Sequence, residues 1–166
     1  MLLGPVSVLT GKDLSFSGRT GIWAIIFDHI RLHPWLGTGY GAYWSGPGAA
    51  SPSHEFVLRE SFYPGSAHNG YLEIVNDLGF AGLCCLIGYL IVHVRQSLRL
   101  LVPEPAQGAL YLALFLQQAL TNLSETHWLS VLSVDFAIMT LASTALARGL
   151  LDRQFRVRFG APPVLP

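Results

Sequence analysis

Long intervals without a charged residue alternate with short charged segments in the second half of the chain. The interval between Asp77 and Arg95 holds only uncharged residues and is rich in Leu, Ile and Gly. At about 1.5 Å of rise per residue, a helix of this length just crosses a hydrocarbon core of about 30 Å. Similar intervals follow from Pro105 to Ser124 and, with a single acid, from Trp128 to Ala147. The pattern predicts three membrane-spanning helices, at 78–94, 109–124 and 128–147.

The basic residues predict the orientation of these spans. Arginines concentrate in the segments 95–108 and 148–166, which lie on the same side of the membrane if three spans are present. Because cytoplasmic loops carry the excess of Lys and Arg, we expect both segments in the cytoplasm. The segment 1–77 and the turn 125–127 then face the periplasm, with residues 1–10 as a candidate remnant of a preceding span.

The outer segment has a different pattern. From Thr20 to Leu32, large apolar residues recur at roughly helical spacing, which predicts a helix that ends before Pro34. From Gly37 to Pro64 the chain is dense in Gly, Ser, Pro and aromatic residues, which indicates an ordered loop. A second helix is predicted to begin near Ser66 and to run into the first span.

Composition favours a membrane protein over a soluble one. Apolar residues make up 51% of the chain and charged residues only 12%, against about 25% charged residues in soluble globular proteins. A soluble body with three buried helices is disfavoured, because no amphipathic helices remain to cover them. The formal net charge is zero, so no basic field favours nucleic acid as a partner. The predicted fold class is an all-α polytopic membrane protein fragment, with an outward-facing helical loop domain and three C-terminal transmembrane helices in the lipid bilayer.

Several short motifs occur in order along the outer segment and beyond it. Ser17–Thr20 (Ser-Gly-Arg-Thr) precedes the first helix, Gly37–Gly41 (Gly-Thr-Gly-Tyr-Gly) and Trp44 follow it, and Ala67–Glu73 (Ala-His-Asn-Gly-Tyr-Leu-Glu) opens the second. In this order and spacing the set resembles the signature region of the O-antigen ligase and exopolysaccharide polymerase family. The later Asn122–Glu125 (Asn-Leu-Ser-Glu) resembles a recurring turn of its polymerase-like members. Family members usually carry many more spans, so the resemblance implies a fragment or a truncated reading frame.

The resemblance implies a membrane glycosyltransferase at the periplasmic face of the bacterial inner membrane. The implied donor is a polyprenyl-pyrophosphate-linked glycan, and the implied acceptor is a hydroxyl of a glycan or of the lipid-A core. Arg19 matches the family's loop arginine, and a guanidinium suits pyrophosphate because it offers a planar bidentate fork. His68 matches the family's functional histidine. Near neutral pH an imidazole can accept the proton of the acceptor hydroxyl or bind phosphate as imidazolium. His68 and Arg19 are therefore the predicted catalytic residues.

Four further residues are predicted to bind substrate. Asn69 is placed to orient the imidazole, and Glu73 is a reserve base near the membrane surface. Tyr40 and Trp44 offer flat faces for stacking on sugars or for anchoring at the membrane interface. The Gly-Thr-Gly-Tyr-Gly run lacks the preceding strand of a dinucleotide-binding loop. It also lacks the lining helix that would follow a potassium filter.

Neither a metal nor a cofactor is predicted. The outer carboxylates are scattered, whereas a divalent ion bound with phosphates wants them clustered. His29 and His33 are spaced as half a metal site, but a surface or interfacial role is favoured over metal binding. Asp135 lies within the third predicted span, where an acid is either functional or hydrogen-bonded to a neighbouring helix. The alternative function is a non-catalytic transporter or polysaccharide export subunit, which explains the spans but not the ordered motifs.

Overall fold

The computed structural model describes residues 19–130 and 133–160, and all regular secondary structure within these ranges is helical. The all-α prediction is therefore confirmed for this part of the chain. The predicted span remnant at 1–10 and the first two residues of the Ser-Gly-Arg-Thr motif lie outside the described residues. The helices are α1 (Arg19–Leu32), α2 (His54–Glu60), α3 (Gly70–Leu101), α4 (Pro105–Thr121) and α5 (Val134–Phe159).

The chain divides into two compact units. The first unit comprises the residues up to Cys84 together with Leu123–Thr126. The second comprises Cys85–Asn122 and the residues from His127 onward. The division falls within α3, so each unit holds one part of that helix.

Helix α1 builds the core of the first unit. Its four isoleucines, at positions i, i+3, i+4 and i+8, lie on one face and are all buried. The helix predicted from their spacing is confirmed. The face packs against residues from the following loop, from α2 and from α3. The core consists of Ile22, Ile25, Ile26, Ile30, Tyr43, Phe56, Ala67 and Val75.

The segment 37–64, predicted as an ordered loop, contains the short helix α2. It has seven residues, too few for a periodic apolar pattern to reveal it, and an isolated helix of this length is unstable in water. Tertiary contacts hold it instead. Phe56 is fully buried, and Arg59 pairs with Asp28 on α1 at 3.6 Å. Within α2, Arg59 also pairs with Glu55 at 2.9 Å.

Helix α3 is interrupted at Gly79, where φ is 64° and ψ is −167°. The loop of residues 34–41, which we call the inserted loop, enters this break and replaces two hydrogen bonds of the helix. The carbonyls of Asn76 and Asp77 accept from the loop, and the two N–H groups after Gly79 donate to the loop, so all four groups are paired. The bonds are Thr38 N–H to Asn76 O (3.1 Å), Gly39 N–H to Asp77 O (2.8 Å), Phe80 N–H to Pro34 O (2.8 Å) and Ala81 N–H to Trp35 O (3.2 Å).

Two glycines permit this close approach of backbone to backbone. A Cβ at Gly79 would lie 2.2 Å from the carbonyl carbon of Trp35, and one at Gly37 would lie 2.4 Å from that of Asp77. Both glycines also have positive φ, which side chains disfavour. The Asp77 carboxylate adds a further bond to the loop, because it accepts the N–H of Gly41 at 2.8 Å.

Among the described residues, α3 and α5 are long and apolar enough to cross a membrane, judged by length and composition alone. Helix α4 has seventeen residues, or about 26 Å at ~1.5 Å per residue, slightly less than a ~30 Å hydrocarbon core. The structure thus supports two of the three predicted spans. The three-span topology stays a prediction.

The helix ends differ from the predicted span ends. Helix α3 continues past Val94 to Leu101, and α5 begins at Val134 and runs to Phe159, into the segment assigned to the cytoplasmic tail. Charged residues end a membrane span but not a helix, because Arg is a good helix former. The helix instead ends at Gly160 in a left-handed cap. Asp135 lies in the first turn of α5, with its carboxylate 2.9 Å from His127 Nδ1.

A buried histidine connects the three helices of the second unit. His93 on α3 is 1% exposed. Its Nδ1 lies 2.9 Å from Ser143 Oγ on α5, and its Nε2 donates to the carbonyl of Tyr111 on α4 at 3.1 Å. Tyr89 adds a hydroxyl contact to Ser143 at 2.6 Å. The side chains of His93, Ser143 and Tyr89 thus each have a partner within the protein, as polar groups between helices in lipid require.

Candidate functional site

The two predicted catalytic residues meet at one carboxylate in the first unit. Arg19 opens α1, and His68 lies just before α3. Arg19 Nη2 is 3.9 Å from Glu125 Oε1, and His68 Nδ1 is 3.9 Å from Glu125 Oε2. These are ion-pair distances, longer than hydrogen bonds. The structure therefore brings together two residues from separate motifs, with Glu125 between them.

This cluster of Arg19, His68 and Glu125 is partly open to solvent. The side chains are 25%, 38% and 49% exposed, respectively. Solvent screening keeps exposed ion pairs weak, at about 0–1 kcal/mol. A ligand with greater charge can therefore compete for these side chains.

The backbone of His68 has φ of 48°, in the left-handed region that few residues other than glycine adopt. The preceding residue, Ala67, is fully buried and bonded on both sides. Its N–H donates to Glu73 Oε2 at 2.7 Å, and its carbonyl accepts from Trp23 Nε1 at 2.9 Å. These contacts hold the segment that presents the imidazole, as an uncommon backbone conformation requires.

Asn69 caps the start of α3. Its side-chain oxygen accepts from the N–H groups of Tyr71 at 3.1 Å and Leu72 at 3.0 Å, the pattern of an N-cap. Its amide nitrogen donates to the carbonyl of Leu123 at 3.3 Å. Asn69, the residue after His68, thus joins the start of α3 to the turn that carries Glu125. Its predicted role in binding substrate stays a prediction.

Glu73 lies inside the core of the first unit, 9% exposed. One carboxylate oxygen accepts from Ala67 N–H, and the other accepts from the indole N–H of Trp44. Both oxygens therefore hold neighbouring parts of the fold in place. Its predicted role as a reserve base stays a prediction.

Trp44 and Tyr40, the two aromatic residues predicted to stack on sugars or to anchor at the membrane interface, differ in their surroundings. Trp44 is half-buried in an aromatic cluster, with ring centroids 4.8 Å from Tyr43, 5.3 Å from Phe56 and 6.0 Å from Tyr63. Tyr40 belongs to the inserted loop and is 55% exposed. Stacking of either ring on a sugar stays a prediction.

His29 and His33 do not form a recognisable metal site. Their ring centroids are 5.3 Å apart, and His29 Nδ1 pairs with Asn76 Oδ1 at 3.0 Å. Throughout residues 19–130 and 133–160, no three His, Cys, Asp or Glu side chains are grouped to hold a metal. Burial lowers the pKa of His29, partly offset by its hydrogen bond to Asn76. Burial likewise raises the pKa of the neighbouring Tyr43.

An apolar groove of about 290 Å³ runs between α1 and α3 within the first unit. Trp23 lies one turn after Arg19 on α1, and Asn69 directly follows His68, so the groove adjoins the helix starts that carry the cluster. The lining residues are Trp23, Phe27, Asn69, Tyr71, Leu72, Val75 and Leu83.

Glu125 is the site residue that sequence reasoning missed. The turn Asn122–Glu125 stood out only for its resemblance to polymerase-like members, and no role was assigned to its acid. The turn lies far along the chain from Arg19 and His68. Only the tertiary fold places its carboxylate beside them.

Comparison with known proteins agrees with the motifs. The O-antigen ligase family model matches residues 3–87, just over half of the chain, a range that includes Arg19 and His68. The exopolysaccharide production protein ExoQ of Rhizobium meliloti (strain 1021) is 33% identical over 99 residues, covering 57% of this chain and 22% of that protein. The chain therefore spans about a fifth of the length of that relative. No solved structure matches the chain. From the match to the family model, we conclude that this chain belongs to the membrane-integral O-antigen ligase family.

Proposed function

We propose that this chain carries the catalytic periplasmic segment of a membrane glycosyltransferase. The donor is a polyprenyl-pyrophosphate-linked glycan in the bacterial inner membrane, and the acceptor is a hydroxyl of a glycan or of the lipid-A core. The convergence of Arg19 and His68 on Glu125 carries the proposal. It places a guanidinium, which can bind the pyrophosphate of the donor, near an imidazole, which can accept the proton of the acceptor hydroxyl.

Arg19 binds the leaving group in this mechanism. Its guanidinium donates to two phosphate oxygens at once, a charge-assisted arrangement stronger than a neutral hydrogen bond. Its position at the start of α1 adds the positive end of the helix dipole. Both effects grow as the bond from the anomeric carbon to the pyrophosphate oxygen breaks, because negative charge then accumulates on the pyrophosphate.

His68 acts on the acceptor. Its imidazole accepts the hydroxyl proton while the acceptor oxygen bonds to the anomeric carbon, and the electron pair of the broken bond leaves with the pyrophosphate. In a second version of the mechanism, His68 is an imidazolium that binds phosphate beside Arg19. The distance of 3.9 Å to Glu125 suits both versions, and donor binding distinguishes them.

The apolar groove between α1 and α3 supports a lipid-linked donor. Its wall of Trp23, Phe27, Leu72 and Val75 offers an apolar surface to an isoprenoid chain. With the pyrophosphate at Arg19, the first isoprene units would lie along α1. Of the two acceptors, the similarity to a protein named for exopolysaccharide production favours a glycan hydroxyl.

The test is a transfer assay with the intact protein in lipid nanodiscs and a polyprenyl-pyrophosphate-linked oligosaccharide as donor. We expect lengthened glycan and free polyprenyl pyrophosphate in equal amounts. Movement of the lipid-linked glycan across a vesicle membrane without bond cleavage would instead identify a transporter and overturn the proposal.

The proposed orientation has its own test. Reporter fusions near Ser53 should report a periplasmic location, and fusions near Gln154 a cytoplasmic one. Both reporters on the same side of the membrane would overturn the three-span topology.

A further inference from the structure

We propose that Glu125 is a positioning residue that orients His68 and holds Arg19 only until the donor's pyrophosphate displaces it. The inference rests on the proposed glycosyl transfer. It assigns Glu125 a function in the reaction cycle, beyond its contacts with Arg19 and His68.

The two carboxylate oxygens of Glu125 face different groups. Oε1 faces Arg19 Nη2 and Oε2 faces His68 Nδ1, each at 3.9 Å. A carboxylate beside Nδ1 favours the tautomer with its proton on that nitrogen, which leaves the lone pair on Nε2. Nε2 is then the atom that takes the proton of the acceptor hydroxyl.

The turn that carries Glu125 is held close to His68. Asn69 caps α3 with its side-chain oxygen and donates from its amide nitrogen to the carbonyl of Leu123 at 3.3 Å. Asn69 thus holds both the chain next to His68 and the turn that carries Glu125. A shift of about 1 Å brings Glu125 within hydrogen-bond distance of His68, and catalytic hydrogen bonds that are long in the free enzyme often tighten when substrate binds.

Glu125 competes with the donor's pyrophosphate for the guanidinium of Arg19, and Glu125 is the weaker of these two partners. Both side chains are partly exposed, and exposed ion pairs change an equilibrium by less than about fivefold. A charge-assisted hydrogen bond to phosphate contributes about 10- to 100-fold. The pyrophosphate therefore takes Arg19, and the like charges of phosphate and Glu125 leave the carboxylate with His68.

This arrangement predicts opposite effects on donor binding and turnover when the charge is removed. In Glu125→Gln, the carboxylate no longer competes with the donor for Arg19, so the dissociation constant of the donor should fall about 2- to 5-fold. The turnover number should fall about 10- to 100-fold, because the imidazole loses its orienting partner. A merely structural role would weaken binding and turnover together.

Two further variants sharpen the test. Glu125→Asp keeps the charge and should recover part of the lost turnover. In an Arg19→Ala background, Glu125→Gln should tighten donor binding less, because no guanidinium is released. Asp152→Asn, at an exposed carboxylate on α5, is the matched control and should leave both constants at the wild-type values.

The measurements are donor binding and steady-state transfer with the intact protein in nanodiscs. Wild-type turnover in Glu125→Gln, or weaker donor binding by that variant, would overturn the assignment of Glu125 while the wild-type protein remains active. Lack of transfer by the wild-type protein would overturn the proposed function itself, so the two failures are distinguishable.

Discussion

The backbone N–H of Ala67 donates a hydrogen bond of 2.7 Å to the buried carboxylate of Glu73. Because Ala67 precedes His68, this bond holds the segment that presents the imidazole. We expect Glu73→Ala to destabilise the protein by about 1–3 kcal/mol, since it leaves the buried N–H of Ala67 and the partly buried indole N–H of Trp44 unpaired. Glu73→Gln, which keeps one acceptor, should cost less. Thermal unfolding in detergent measures both variants, with Glu60→Ala as the control. Equal unfolding temperatures for Glu73→Ala and the control would contradict this account.

The inserted loop depends on glycine at two positions. Gly79→Ala and Gly37→Ala each place a Cβ within 2.4 Å of opposing backbone and force a positive φ on a side chain. We expect each to destabilise the protein by more than about 2 kcal/mol. Gly88→Ala, elsewhere on α3, meets nothing within 4 Å and should be neutral or stabilising. Thermal unfolding again provides the comparison, and three similar unfolding temperatures would refute the role of the close approach.

Arg19 provides a test of bidentate phosphate binding. Arg19→Lys keeps the charge but loses the planar fork, so we expect normal expression with strongly reduced transfer. Donor affinity should fall by about 1.5–3 kcal/mol in Arg19→Ala, the range for a hydrogen bond to a charged group. Arg31→Ala, an exposed arginine on the same helix, is the matched control. Wild-type activity in Arg19→Ala would remove this residue from the mechanism.

His68 provides the test that separates a base from a phosphate ligand. His68→Asn is the cleanest variant, because Asn tolerates the left-handed backbone found there. If His68 is the base, transfer should fall by about 10²–10⁴-fold while donor binding stays nearly intact. If it binds phosphate, donor affinity should fall as well. Donor binding and product are measured on the same purified protein, with His54→Asn on α2 as the control. Full transfer by His68→Asn would move the search for a base to Glu73.

His29 gives the first unit a sensitivity to acid. Burial lowers its pKa below 6.5 in the folded protein, so the unfolded chain binds a proton more readily. The stability contributed by neutral His29 is therefore fully present above pH ~6.5 and is lost as the pH falls below that value. We expect His29→Gln, which cannot ionise, to lose less stability between pH 7 and pH 5. The same acid dependence of the unfolding temperature in both proteins would exclude His29 as its source.

The parts of the fold that depend on local spacing were predictable. The isoleucines of α1 repeat at helical intervals, so both the helix and its buried face follow from the sequence. The charge-free interval after Asp77 likewise predicted a long apolar helix. Hydrophobicity carries no information about backbone angles, however, and Gly79 therefore gave no sign that α3 is broken there.

The parts of the site that depend on tertiary structure were not predictable. The motifs selected Arg19 and His68, but the carboxylate between them comes from a distant turn. Polar residues beside His68 suggested contact with substrate. In the structure, Asn69 caps a helix and Glu73 ties two loops, contacts that require knowledge of the neighbouring backbone.

The inserted loop also bears on the order in which the protein is made. Residues 34–41 precede residues 76–81 in the chain, so the ribosome completes the loop before the helix that it enters. In the absence of this loop, the two carbonyls and two N–H groups at the break would pair with each other in an unbroken helix, because a group left unpaired beside an apolar segment costs several kcal/mol. With the loop already translated, these groups can find their partners as α3 leaves the translocation machinery. The N-terminal position of the loop thus lets the break at Gly79 form during synthesis, without first undoing hydrogen bonds of a completed helix.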